Sequence, residues 1–191
     1  MMIGIGCIVK LSCTNEYIGS FLFSIGLFVI CNFDLYLYTG KIGFAFTDKG
    51  FSLVEYIIIW TGNLMGILCI ILPFRFVESS MNVVHYEIMN CKIEQTHLAR
   101  MFFSVLCGIL MFIVVDNFQK SNNGFYGYLG IVMCVMTFIL SKFEHSIADM
   151  GYSILCINSI LDFIYCSLYI LEISVGNSIG AILMQKLCSK K

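Results

Sequence analysis

The chain has 191 residues, of which 59% are hydrophobic and only 12% charged, with a mean hydropathy of +0.91. Soluble domains are nearer half apolar and a quarter charged, so this composition excludes a fold bathed only in water and makes lipid part of the solvent. A formal net charge of −1 provides no basic face for nucleic acid.

A bilayer core calls for roughly 20 apolar residues per helix. The first segment, Met1 to Cys13, reaches only about 20 Å as a helix and is too short to cross unaided. After a tight link at Thr14 to Glu16 come apolar runs from Tyr17 to Tyr38 and, beyond Thr47 to Gly50, from Tyr56 to Phe74. A long polar stretch, Val77 to His97, precedes Leu98 to Val115, and a polar turn at Asn117 to Gly124 precedes Phe125 to Leu140. The final stretch, Gly151 to Met184, is too long for one helix; it divides into a half-helix, a turn near Asn158 to Asp162, and a last span. Lys186, Lys190 and Lys191 in the tail favour a cytoplasmic C-terminus, with Lys49 and Lys120 inside and Arg75, Lys92 and Arg100 outside. The start carries no basic leader or cleavage site of a secretory signal.

The ten cysteines do not form a framework: no CxxC pair occurs, and Cys7, Cys31, Cys69, Cys107, Cys134, Cys156 and Cys166 lie inside apolar runs. Buried cysteine behaves as a small hydrophobe; a metal or redox role is the alternative.

Two short patterns recur. Gly62-Asn63-Leu64-Met65-Gly66 and Gly176-Asn177-Ser178-Ile179-Gly180 both read GNxxG, and each follows an interrupted segment, Tyr38-Thr39-Gly40-Lys41 in the first half and Phe143-Glu144-His145-Ser146 in the second. Two three-span halves with matching interruptions imply an inverted repeat whose site lies where the broken helices meet. Small residues at ordinary helix contacts are the plainer explanation of the match.

The ionisable residues inside these apolar stretches carry the chemistry. His145 and Glu144 sit between two apolar runs, at membrane depth, where ionisable groups face a cavity or the bundle interior. Histidine titrates nearest neutral pH and donates a hydrogen bond in either charge state; a satisfied structural histidine is the alternative. Gly40 permits a break, Thr39 offers a hydroxyl, and a restarted helix offers free N–H groups to an anion. Lys41, flanked by apolar residues, should not face lipid.

The segment Phe143-Glu144-His145-Ser146-Ile147-Ala148-Asp149-Met150 resembles the FEHSxANM signature of the formate/nitrite transporter family. Gly26-Leu27 followed by Leu37-Tyr38-Thr39-Gly40 resembles the family's second helix, ending in ELFTGN. The two GN pairs resemble those of its third and sixth helices, Cys107-Gly108-Ile109-Leu110-Met111 fits its fourth, and Lys92 falls where the family keeps a vestibule lysine. The resemblance runs through nearly the whole chain. It implies an all-α membrane protein with six transmembrane segments in two inverted three-helix repeats and two broken helices, similar in fold to aquaporins. The domain would be 1–191, with repeats at about 1–76 and 98–187. It implies one pore per protomer in a homopentamer within a lipid bilayer, of bacterial cytoplasmic-membrane type. The cargo would be a small monovalent anion or its weak acid, of the formate, nitrite or hydrosulfide class.

By resemblance, Leu27 and Phe138 would form the cytoplasmic constriction and Leu37 and Tyr38 lie near the opposite one, with Thr39 and His145 between. Lys92 would attract the anion and Glu144 line its path. Gly40, Lys41, Asp149, Gly62, Asn63, Gly176 and Asn177 would shape the breaks and helix contacts. The resemblance implies no cofactor, no metal and no enzyme activity. A non-conducting homologue is the alternative; a membrane enzyme using Glu144 and His145 as acid and base is a further one, without a nucleophile motif to support it. Three residues depart from the family pattern: Asp149 and Lys41 stand where it has asparagine, and Lys142 where it has a small residue. Two charges near converging breaks should pair, so Lys41 and Asp149 are expected to form a salt bridge. Met1 falls within the family's first helix, which predicts either an upstream start or a first helix that does not span fully.

Overall fold

The computed structural model describes residues 1–77, 92, 94–121 and 124–189, and all regular structure among them is helical. The helices are α1 (Met2–Ser12), α2 (Glu16–Asn32), α3 (Tyr38–Lys41, continued by a 3₁₀ turn at Ile42–Phe44), α4 (Leu53–Val77), α5 (His97–Lys120), α6 (Gly124–Leu140), α7 (Ser146–Cys156) and α8 (Ile160–Cys188). Helices α4, α5 and α8 are long and apolar enough to cross a membrane; α1, α2 and α6 are shorter apolar helices. This is an integral membrane protein.

Helix starts follow from local capping. Asn15 accepts from the Tyr17 and Ile18 amides, Thr96 from Ala99, and Ser159 forms a reciprocal box with Asp162. Each supplies acceptors to N–H groups that have no partner within the helix. The Asn158–Asp162 turn expected in the last apolar stretch is this capping box. The polar stretch expected as a turn from Asn117 instead continues α5 to Lys120, supported by the Lys120–Asp116 pair one turn apart (2.8 Å). Most of the Val77–His97 connection, together with Asn122, Asn123, Lys190 and Lys191, lies outside the described residues.

Packing is closest where glycine lets backbones meet. A Cβ on Gly26 of α2 would lie 2.9 Å from the Met2 carbonyl oxygen of α1, and one on Gly108 of α5 would collide with the Asn177 carbonyl of α8. By contrast, only Tyr56, Ile67 and Ile71 of the 25-residue α4 are buried. A helix apolar all round with so little of it covered needs lipid or another protein against it.

The two interruptions are built alike. After α2 the chain leaves the helix at Phe33, passes through Asp34 at φ 47°, and resumes at Tyr38. After α6 it leaves at Ser141, passes through Lys142 at φ 55°, and resumes at Ser146. Asn63 of α4 accepts from the Tyr38 amide (2.8 Å) and donates to the Tyr36 carbonyl (2.8 Å). Asn177 of α8 accepts from the Ser146 amide (2.9 Å) and donates to the Glu144 carbonyl (2.7 Å). One asparagine thus holds the first amide of each restarted helix and the carbonyl two residues earlier, groups that irregular backbone leaves unpaired. The glycines of the two GN pairs are not equivalent: Gly176 is pressed against Ser104, whereas Gly62 faces open space.

Candidate functional site

The two restarted helices meet at Thr39 and His145. Thr39 is fully buried and His145 is 2% exposed; Thr39 Oγ1 and His145 Nε2 are 3.1 Å apart. His145 also caps α7, its Nδ1 accepting from the Ala148 amide at 3.1 Å. Since Nδ1 is the acceptor, the proton of the neutral ring sits on Nε2 and is directed at Thr39. A doubly protonated ring would lose the Ala148 bond. The helix cap therefore favours a neutral imidazole that presents a donor.

Behind the histidine lies a cluster of buried charge. Glu144 and Asp149 are 0% and 2% exposed. Lys92 Nζ lies 2.7 Å from Glu144 Oε2 and 3.2 Å from Asp149 Oδ1. The Tyr169 hydroxyl donates to Glu144 Oε2 (2.5 Å) and lies 3.3 Å from Asp149 Oδ2. Arg100, paired with Glu172 at 2.7 Å, stacks its guanidinium 5.1 Å from the Tyr169 ring centroid. Burial opposes the Lys92 ammonium, yet the Asp149 and Glu144 carboxylates outweigh it and raise Lys92 above the ordinary lysine range. Lys92 is thus a fixed cation.

Two cavities flank the Thr39–His145 contact. The first, about 420 Å³, is lined by Lys10, Glu16, Lys92, Lys142, His145 and Asp149 among others. The second, about 400 Å³, is lined by Asp34, Leu37, Gly40, Lys41 and Val115 among others. Glu16 opens α2 and belongs to the first; Ile30 and Cys31 near the end of α2 belong to the second. The cavities therefore lie toward opposite ends of that helix, about 15 Å apart along its axis. Between them the lining turns apolar. Phe138 stacks on His145 (centroids 5.2 Å) and meets Phe23 edge-on (5.9 Å), and Leu27 and Leu37 are 1% and 2% exposed.

Several expectations are corrected. Lys41 does not meet Asp149: its Nζ bonds Asp34 at 2.9 Å and lies over the Tyr36 ring, while Asp149 takes Lys92. The physical reason is reach, since Asp34, held by its left-handed backbone beside α3, supplies Lys41 with a nearer partner. Lys92 is not a free attractor but the counter-ion of two carboxylates. Glu144 lines neither cavity; its carboxylate turns toward Lys92 and Tyr169. Phe138 and Lys92, assigned to opposite ends, line one cavity. Tyr38 points its hydroxyl at Ser178 (2.8 Å). Sequence reasoning missed Tyr169 and Phe23, although spacing marked both: Tyr169 lies eight residues before Asn177 and Phe23 four before Leu27, each pair on one helix face.

The family model described as "Formate/nitrite transporter" matches residues 1–189. Among solved structures, an "FNT family ion channel" superposes with a TM-score of 0.82 at 20% identity, over 99% of this chain and 84% of that one. A "Pentameric formate channel with formate bound" gives 0.73 at 17% identity, over 99% and 89%. At these identities the likeness is one of fold. No curated protein sequence matches significantly.

Proposed function

The chain belongs to the formate/nitrite transporter family, and on that premise we propose that it conducts a small monovalent anion or its conjugate weak acid across the membrane. The observation that carries this reading is the Thr39–His145 contact, where two interrupted helices meet between two cavities. The six apolar segments form two inverted repeats, about 1–76 and 98–187, related by the paired asparagine clamps at Asn63 and Asn177. The C-terminus faces the cytoplasm. Five protomers assemble side by side, and the uncovered apolar surface of α4 supports both lipid contact and such an assembly.

The path is apolar on either side of the contact, at Phe23 and Phe138 toward the first cavity and at Leu27 and Leu37 toward the second. A bare anion there loses hydration that nothing replaces, an idealised cost of tens of kcal/mol, whereas a neutral acid loses far less. The neutral acid is therefore the species that crosses. Within the gap His145 Nε2–H donates a hydrogen bond and Thr39 Oγ1 can donate or accept, so the two hold the cargo's oxygen or sulfur and replace part of its water shell. The ring stays neutral because Nδ1 caps α7, and the proton travels with the cargo. Uptake of formate, nitrite and hydrosulfide into proteoliposomes at acid and neutral pH tests the reading: faster uptake at the lower pH supports it, and liposomes no more permeable than protein-free controls would refute it.

A further inference from the structure

In this chain Lys92 is not available to a ligand. Lys92 Nζ is shared between Glu144 (2.7 Å) and Asp149 (3.2 Å), so its donors are turned to these side chains and away from a ligand. An anion entering the first cavity would therefore be drawn chiefly by other cations. Two further lysines line the first cavity. Lys10 lies in the last turn of α1, and Lys142 lies in the second interruption, exposed and lining the cavity. Among the described residues neither has an ion-pair partner. Glu16 lines the same cavity and offsets one of the two.

The backbone gives an independent indication. Lys142 holds φ 55°, a region that glycine, asparagine and aspartate occupy more readily than lysine. Asp34, at φ 47°, holds the corresponding place in the first interruption, two residues before the carbonyl that Asn63 binds, as Lys142 is two before the carbonyl that Asn177 binds. Asp34 is neutralised by Lys41 at 2.9 Å; among the described residues Lys142 has no such partner. Among the described residues the second cavity is thus charge-matched, whereas the first is lined by lysines without an ion-pair partner.

Resting on the conduction reading above, we propose that Lys142, with Lys10 across the cavity, is the anion-collecting charge of this protein, and that Asp149 silences Lys92 in that role. A unit charge about 7 Å from an anion in water changes local anion concentration about threefold, more where low-dielectric walls focus the field. Salt screens such an effect.

Formate uptake into proteoliposomes, measured against formate concentration at low and high ionic strength, tests this. Lys142→Gln should raise the half-saturating concentration about threefold or more at low salt, leave the maximal rate unchanged, and match the unsubstituted protein at high salt. Lys142→Arg should behave as the unsubstituted protein. Lys142→Gln combined with Asp149→Asn should recover much of the loss, because Lys92 then faces a single carboxylate. An unchanged half-saturation in Lys142→Gln, or equal impairment in Lys142→Arg, overturns the proposal while conduction stands. No recovery in the double variant overturns the silencing of Lys92. Absence of uptake by the unsubstituted protein defeats the conduction reading itself, and the proposal with it.

Discussion

Asn63 and Asn177 occupy the same place in two matching motifs, yet the structure gives them unequal weights. Asn177 is fully buried and satisfies three backbone groups: the Ser146 amide (2.9 Å) and the Glu144 and Ser104 carbonyls (2.7 and 2.8 Å). Asn63 is half-buried and satisfies two, at Tyr38 and Tyr36. A buried backbone group left without a partner costs about 1–3 kcal/mol. Asn177→Ala should therefore destabilise by about 3–6 kcal/mol, and Asn63→Ala, whose orphaned groups water can reach, by about 1–2 kcal/mol. Because Asn177 also fixes the strand of chain that presents His145, its loss should abolish flux as well. Thermal inactivation of the two variants in detergent, with uptake measured on the surviving protein, checks both points. Equal losses of stability, or an Asn177→Ala protein that transports normally, would refute the reasoning.

Lys92→Met leaves Glu144 and Asp149 buried without their cation and should destabilise by about 3–5 kcal/mol, seen as a loss of monodisperse protein after detergent extraction. Lys41→Asn should cost no more than about 1 kcal/mol in thermal stability, because its partner Asp34 is 84% exposed, and Asp149→Asn should not rescue what little is lost. His145→Ala removes the Thr39 partner and the α7 cap; flux and its pH dependence should largely disappear while the assembly persists on size-exclusion chromatography, the missing cap costing about 1 kcal/mol. Gly108→Val drives a side chain into the Asn177 carbonyl and should prevent α5 and α8 from docking, read as failure to yield folded protein.

The architecture was legible because apolar run length and capping residues are local signals. The apolar helices, the division of the last stretch and the interruption at His145 all follow from them, and so does the juxtaposition of Thr39 with His145 once the breaks are taken to converge. The charge pairing was not legible. Lys41 and Asp149 were matched because both followed breaks, but a helix places side chains by angle as well as depth. Asp34 reached Lys41 through a left-handed turn that the sequence Phe33-Asp34-Leu35 does not announce. Lys92, more than fifty residues before Glu144, came to the carboxylates through tertiary packing alone. The edge-on packing of Phe138 against Phe23 likewise depends on which way the second interruption turns.

The account rests on a neutral acid crossing between Thr39 and His145, and the movement of protons with the anion tests that most directly. Proteoliposomes loaded with a pH-sensitive dye and given an inward formate gradient should acidify inside in step with formate uptake, one proton per anion, with no dependence on membrane potential. Formate uptake that generates a membrane potential and leaves the internal pH unchanged would contradict it.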